Sequence, residues 1–547
     1  MNDTGLPRGW AVACLDDICI IKDGRRIPVN QDDRAQRIAG KGASELFPYY
    51  GATGVIGWID GYIFEGEHVL LGEDGAPFYD RSKAVAYVAK GRYWVNNHAH
   101  VLQALICPHF LCHYLNQFDY HGFVTGTTRL KLNQTAMRSM PILVAPLVEQ
   151  RAIVAKIEQL FSELEKGVEQ LQTVKQQLKQ YRQAVLKAAF EGKLTAEWRA
   201  QQQEAGKLPD AEELLEQIEK EREKRYQQQL REWKQALAQW EAAGGGESGQ
   251  KKPAEPIRPR ATSAVSSMEP SDLGVLPKGW AWLRLSSVGD ISGGITKNPK
   301  RARLPHRFPY LRVANVYANR LDLQEVDEIG VTGTEYQRAI LAANDVLFVE
   351  GNGSVDQIGR VAVWNGCISP CLHQNHLIKC RPILPEMARF ILYWFLSPVG
   401  RRVIVREASS TSGLYTLSIS KASSLAIPVT SMAEQQQVLR EIDSRFSVLD
   451  QLEKAVDHGL QHAEGLRQSI LKKAFEGRLL SDAELAAVRN DPEYEPADKL
   501  LERIRAEKEK DKQSLRSSRA GSMRRETRRG SLRRPQEETN ETASEAR

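Results

Sequence analysis

Hydrophobic residues recur every seven positions over two long stretches of this chain. In the first, Ile157, Leu164, Leu171, Leu178 and Val185 form one seam, with Leu160, Val174, Tyr181 and Ala188 as its companion. In the second, Ile442, Leu449, Val456, Ala463 and Ile470 hold the same places, with Leu452 and Leu466 beside them. A sustained 3.5-residue period predicts a helix that seeks a helical partner along its whole length. No proline interrupts either stretch, so each can run ~40 residues, or ~60 Å. Elsewhere the apolar runs are short. GEHVLLGEDGA (66–76), KAVAYVAKG and WVNNHAHVLQALI in one part, and NDVLFVEGNGS (344–354), GRVAVWNG and LHQNHLIKCRPI in another, read as strands and tight turns. Val69 aligns with Val346 and His100 with His376, which predicts two domains of one fold with different loops.

The heptad stretches are copies of each other. Glu149–Leu194 and Glu434–Leu479 align without a gap, and about a third of their positions are identical. The likeness extends outward: Leu6-Pro7-Arg8-Gly9-Trp10 matches Leu276-Pro277-Lys278-Gly279-Trp280, and LLEQIEKEREK from Leu214 matches LLERIRAEKEK from Leu500. The segments between these like ends are much less alike, so the chain is a tandem duplication of variable domain and helix. Each helix could pair with a second copy of the chain, but the gapless match makes the two helices partners for one another. Connectivity favours an antiparallel pair with one globular domain at each end. The expected fold is α+β: two similar strand-rich domains (1–148 and 271–433) and two long helices (149–195 and 434–480) pairing as an antiparallel coiled coil. A charged helix and flexible linker occupy 196–270, and a charged helix with a basic, disordered tail occupies 481–547.

Composition narrows the picture only slightly. At 547 residues the chain exceeds a single core. No apolar run approaches the ~18 residues of a membrane span, and the start lacks a basic segment followed by an apolar one. Seven cysteines scattered through so long a chain suit a reducing cytoplasm. The net charge of +6 hints at a polyanionic partner, but residues 511–547 hold ten Lys/Arg against six Asp/Glu and so supply most of it.

Catalytic chemistry is missing from the pattern. There is no GxxxxGK[ST] phosphate loop and no NPPY-like or DPPY-like tetrapeptide, which argues against an intrinsic ATPase or amino-methyltransferase. LPDAEELLEQIEK from Leu208 can be forced onto a nuclease-like acid pattern, but it lies in a charged helical segment. Cys107, His109, Cys112 and His113 form one possible metal set, and Cys367, Cys371, His373, His376 and Cys380 another. Neither has zinc-knuckle spacing, and no metal site is expected. His100 and His376 read as structural histidines.

A variable domain, a heptad helix opening on Glu-Gln and ending in AFEGKL or AFEGRL, and then the same pair again resembles the specificity subunit of type I restriction–modification systems. LPxGW at the head of each half, YYGATGVIGWIDGYIF in the first and PYLRVANV in the second belong to the same pattern. The likeness runs from Leu6 to about Lys510; the basic tail departs from it. The resemblance implies two target-recognition domains, each reading half of a split, asymmetric site in double-stranded DNA. It implies helices that dock two modification (methyltransferase) subunits, with restriction (helicase–nuclease) subunits joining later. The chain itself would bind no cofactor; S-adenosylmethionine, ATP and Mg would sit on the partners. The alternative is a non-catalytic coiled-coil scaffold that binds DNA without sequence preference.

Polar side chains on Gly-flanked loops are the candidate readers, since Arg pairs with guanine and Asn or Gln with adenine. In the first domain these are Lys22, Arg25 and Arg26 (KDGRR) and Thr127, Thr128, Arg129 and Lys131 (GTTRLK). In the second they are Lys297, Lys300, Arg301, Arg312, Asn315, Asn352 and Gln357, with Ser410 and Tyr415 in the loop matching GTTRLK.

Overall fold

Two helices of 44 residues, Leu147–Phe190 and Met432–Phe475, carry the heptads. Each begins two residues before its Glu-Gln pair, and each stops at the glycine of its AFEG motif. Gly192 and Gly477 take φ +68° and +67°. Their amides bond the carbonyls of Ala189 and Ala474, while those of Lys193 and Arg478 reach back to Ala188 and Lys473. This double closure is the left-handed helix stop that glycine permits. A Cβ on Gly192 would also lie 2.3 Å from Pro277 Cγ, and one on Gly477 2.5 Å from Pro7 Cγ. The Gly of each AFEG motif and the Pro of each LPxGW motif are therefore one contact. Gly192→Ala or Gly477→Ala is expected to cost about 2–3 kcal/mol, strain and overlap adding, measurable by denaturant titration.

The computed structural model describes residues 6–207, 210–244, 251–258, 273–352, 354–355, 357–411 and 414–510. The expected basic tail and much of the expected linker lie outside the described residues. Among the described residues no helix is long and apolar enough to cross a membrane.

The chain forms two compact units. The first joins the residues up to Gln172 with those from Asp457 onward, and the second is Thr173–Val456. Neither unit is one copy of the repeat. The first takes its sheets and LPRGW from one copy and its AFEGRL helix end from the other; the second does the reverse. The helices after each AFEG motif follow suit. The amide of Ala211, at the head of the helix Ala211–Ala242, bonds the carbonyl of Gly279, and that of Ala497 bonds Gly9. Leu214 and Ile218 are buried in the second unit, and Leu500, Leu501 and Ile504 in the first. Asp210, from the acid pattern singled out above, caps the first of these helices by accepting from the Glu212 amide.

Helix pairing is antiparallel within each unit. In the first, Leu171 lies against Gly459 and the Arg467 guanidinium covers the Phe161 ring at 4.4 Å. In the second, Arg182 covers Phe446 at 4.6 Å and meets Asp450 and Glu453. Numbers rise on one helix as they fall on the other. The main seam includes buried Ile157, Val185, Ile442, Leu449 and Val456, with Leu164, Leu171, Leu178 and Ile470 half-buried. The companion seam differs from the expectation. Val174, Tyr181, Leu452 and Leu466 are exposed and Leu160 is half-buried. Phe161, Phe446, Ala189 and Ala474, four residues after a main-seam position rather than three, are buried instead. Two of the other fourth places hold Arg182 and Arg467, whose cationic faces cover the opposing Phe, and two more hold Lys175 and Glu453, so apolar spacing alone does not reveal that side.

The Glu-Gln pairs fasten each helix to its sheets. Gln150 accepts from the Cys107 amide and donates to Ala145, and Gln435 donates to Thr430. Glu149 accepts from Trp10 Nε1 at 2.9 Å. Glu434, fully buried, accepts from Arg199 at 2.6 Å, Thr195 at 2.8 Å and Thr430 at 2.9 Å. Trp280 Nε1, in the motif position of Trp10, is buried without a hydrogen-bond partner. Burial pushes the Glu149 carboxyl above its usual value, against the Trp10 hydrogen bond and Arg489 that lower it. A carboxyl raised by folding lends stability in acid that is lost as the pH rises through its folded value. Glu149→Gln, which keeps an acceptor for Trp10, is therefore expected to leave the first unit at least as stable at neutral pH and to flatten its pH dependence. Denaturation across pH 4–8 checks this.

Candidate DNA interface

Each unit is built on a four-stranded antiparallel sheet. In the first the order is Cys19–Ile21, Ala99–Ala104, His68–Gly72, Ala86–Ala89. Strands alternate in direction, so the first and third leave at the same end that the other two enter. KDGRR departs there, and GTTRLK is stitched onto it: Leu132 N bonds Glu73 O, Gly75 N bonds Leu130 O, and Asp74 bridges to Lys131. Two segments a hundred residues apart in sequence thus share one rim.

A buried network holds them together. Asp23 accepts from the Val101 amide at 2.8 Å and from Gln134 at 2.9 Å, and lies 2.6 Å from His100 Nδ1. The other ring nitrogen of His100 lies 2.9 Å from the Leu132 carbonyl. Burial alone would raise the Asp23 carboxyl, but His100, Val101 and Gln134 together hold it below its usual value. Among the described residues, Asp23, Glu73 and His100 are the one set of three whose ligand atoms could converge on a metal ion. Arg26 already occupies that place: its guanidinium meets Glu73 at 2.6 Å, Asp23 at 3.5 Å and the Ala99 carbonyl at 2.8 Å. A second cation there would be repelled. The sequence gives no local signal for this network, because Asp23 meets His100 and Gln134 across 77 and 111 residues.

The candidate readers of this unit separate by fate. Arg26 is spent inside the protein. Arg25 is exposed, donating to the Ile63 carbonyl and covering Phe64. Lys22 is half-buried, and burial followed by nearby Arg25 lowers its ammonium. Thr127 and Thr128 are exposed at the loop tip. Arg129, 62% exposed, touches Asp74 at 2.6 Å, and Lys131 reaches Glu73 at 3.5 Å.

The second unit repeats the scaffold with strands Gly289–Gly293, Leu377–Pro382, Val346–Val349 and Val361–Val363. Leu417 N bonds Glu350 O as Leu132 N bonds Glu73 O, and Glu350 N bonds His376 O as Glu73 N bonds His98 O. The counterpart of His376 is therefore His98, not His100. The expected match of His100 with His376 slips by two residues because it paired histidines rather than strand register, whereas that of Val69 with Val346 agrees with the register. His376 is exposed beside Glu350, whereas His100 is buried with both ring nitrogens engaged.

Here too some candidates are internal. Arg301 makes a two-pronged pair with Glu335 and also donates to Thr296 and Gly330, holding the Glu335 carboxyl down to about 2. Buried Asn315 accepts from Arg312 N and donates to Asp322 and Glu325. Arg312 meets Asp327 at 3.1 Å, and exposed Lys297 lies 3.8 Å from the same carboxylate. Lys300 and Gln357 are exposed. The backbones of Asn352 and Ser410 both pair with Tyr415, placing all three at the rim where GTTRLK sits in the first unit.

The type I restriction modification DNA specificity domain matches residues 7–176. The chain is 24% identical over 421 residues to the EcoKI specificity subunit of Escherichia coli K12, covering 74% of this chain and 73% of that one. The EcoDI specificity subunit of Escherichia coli matches at 20% identity over 93% of this chain and 97% of its own. A putative type I specificity subunit of Haemophilus influenzae is 33% identical over a shorter stretch, 27% of this chain and 36% of that one. A solved chain from work on assembly and conformational transition of a type I R-M system shares the fold. Its TM-score is 0.53 at 15% identity, over 87% of this chain and 99% of that one.

Proposed function

We infer that this chain, a specificity subunit of the type I restriction–modification family, reads a split, asymmetric DNA site with two recognition units and leaves the chemistry to partners. The supporting observation is that two units repeat one scaffold while the segments at the same sheet rim differ in sequence, GTTRLK in one and, in the other, the segment in which the backbones of Ser410 and Tyr415 pair. A sequence-blind scaffold needs no such divergence at equivalent positions. Phosphate contacts would supply affinity, and a few rim side chains the discrimination. The partners would be two modification subunits using S-adenosylmethionine and restriction subunits using ATP and Mg, all in the cytoplasm.

The chain alone, given any of these cofactors, is expected neither to methylate nor to cut DNA. Mixed with a modification subunit and S-adenosylmethionine, it should direct adenine methylation to one two-word sequence. Methylation or cleavage by the purified chain alone would overturn the reading. Within the rim, Arg129→Ala is expected to weaken specific binding by roughly 1–3 kcal/mol and to relax one base pair of one word. A uniform loss across sequences with a shallower salt slope would instead make Arg129 a phosphate contact.

A further inference from the structure

Beside the main sheet, each unit carries a strand paired in parallel with a neighbour, and the segment that follows it differs in chemistry. In the first unit Phe47–Gly51 runs parallel to Arg92–Val95, and the Asn96 amide bonds the Tyr50 carbonyl. In the second, Arg307–Leu311 runs parallel to Leu372–His373, and the Gln374 amide bonds the Leu311 carbonyl. These are equivalent points of the scaffold, and the chain leaves both toward the rim. After Gly51 it turns into the edge strand Gly54–Ile59, and the Ala52 carbonyl lies so close to Gly72 that a Cβ there would sit 3.0 Å away. Gly72 immediately precedes Glu73 and Asp74, the anchors of Lys131 and Arg129.

That edge strand exposes two adjacent aliphatic side chains, Val55 at 51% and Ile56 at 46%. A strand of regular register would turn one of them inward; the register shift at Tyr49/Tyr50 coincides with both facing outward. Ile56 is also held in place, because its side chain occupies the room left by Gly51, where a Cβ would come within 2.9 Å. An exposed aliphatic edge is a liability that proteins normally blunt. The strand begins two residues after Ala52, whose carbonyl approaches Gly72, and the rim that Gly72 leads into carries Lys22, Arg25, Arg26, Arg129 and Lys131 against the acids Asp23, Glu73 and Asp74. Apolar side chains framed by cations fit the thymine methyl groups in the major groove of a polyanionic duplex. In the second unit the strand that pairs in the same way is Asp327–Gly330, and it opens on the acids Asp327 and Glu328 rather than on aliphatic residues. The two edges therefore differ in chemistry.

We propose that Val55 and Ile56 are specificity-determining residues of the first unit, reading thymine methyl groups in its half-site word. This rests on the DNA-reading function inferred above and names part of the surface that performs it. The test uses the full chain with its modification subunits, on duplexes in which each thymine of the site is replaced in turn by deoxyuridine, which lacks only the methyl. At one or two positions of one word the swap should weaken binding about fourfold, as the loss of one buried methyl predicts. The V55A/I56A chain should bind methylated and demethylated duplexes alike at those positions, while remaining sensitive to every base of the other word. As a check on folding, Ile56→Val alone should give an intermediate effect. Indifference of the native complex to every swap, a word without thymine, or a variant that keeps full methyl sensitivity would overturn the proposal. So would loss of the modification subunit with methyl sensitivity intact, which would make the strand a protein contact. A native complex with no preferred sequence at all would instead sink the DNA-reading function itself.

Discussion

Exchanging residues 11–148 for the same segment of a relative that reads another word is expected to replace one half-site completely and leave the other unchanged. The exchanged segment holds the first unit's sheets, its rim and the Val55–Ile56 strand. What fastens the unit to its helices survives the exchange: Trp10, which donates to Glu149, and the Pro7–Gly477 contact lie outside the segment, and Gln150 bonds only backbone groups of Cys107 and Ala145. Phe110 and Tyr114 pack on Phe475 from within, so the donor must keep aromatic residues there. Specific DNA binding exceeds non-specific binding by about 10³-fold or more. Loss of a whole word should therefore remove measurable methylation of the original site. Genome-wide methylation mapping reads both words at once, and a simultaneous change in both would contradict two independent readers.

Glu434→Ala should be among the most damaging single substitutions in the second unit. It leaves the Arg199 guanidinium, whose side chain is 15% exposed, and the hydroxyls of Thr195 and Thr430 without their common acceptor. Breaking one member of a buried ion pair typically costs about 3–5 kcal/mol. The matching residue of the first unit has no such partners, so Glu149→Ala should cost distinctly less. Denaturant titration of both variants, with amide exchange localising the loss to residues 192–199 and 430–435, measures the contrast. Equal losses would mean that the carboxylates act only as helix starts.

The architecture was legible because duplication and heptad period are signals spread over many residues. A gapless match of 149–194 with 434–479 tolerates many local differences and still identifies partner helices. Finer points failed where the deciding contact is remote in sequence. The companion seam was misplaced because Arg182 and Arg467 cover Phe446 and Phe161 with polar side chains that carry no apolar periodicity. Arg25 and Arg26 are neighbours of identical chemistry, yet one faces solvent and the other neutralises Glu73, a residue the sequence places 47 positions away. Asn315 looked like an adenine reader and proves to be the internal brace of its turn, bonded to Arg312, Asp322 and Glu325. Val55 and Ile56 escaped notice because an aliphatic pair in a strand reads as core until the register is known.

The central claim is that one chain holds two distinct readers and no catalyst. It is tested most directly by selecting, from a pool of random duplexes, the DNA that the full chain retains together with its modification subunits. The account predicts a single enriched pattern of two unlike short words separated by unread base pairs, with each word lost separately when the rim of its own unit is altered. One continuous word, two copies of the same word, or retention without any enriched sequence would contradict it.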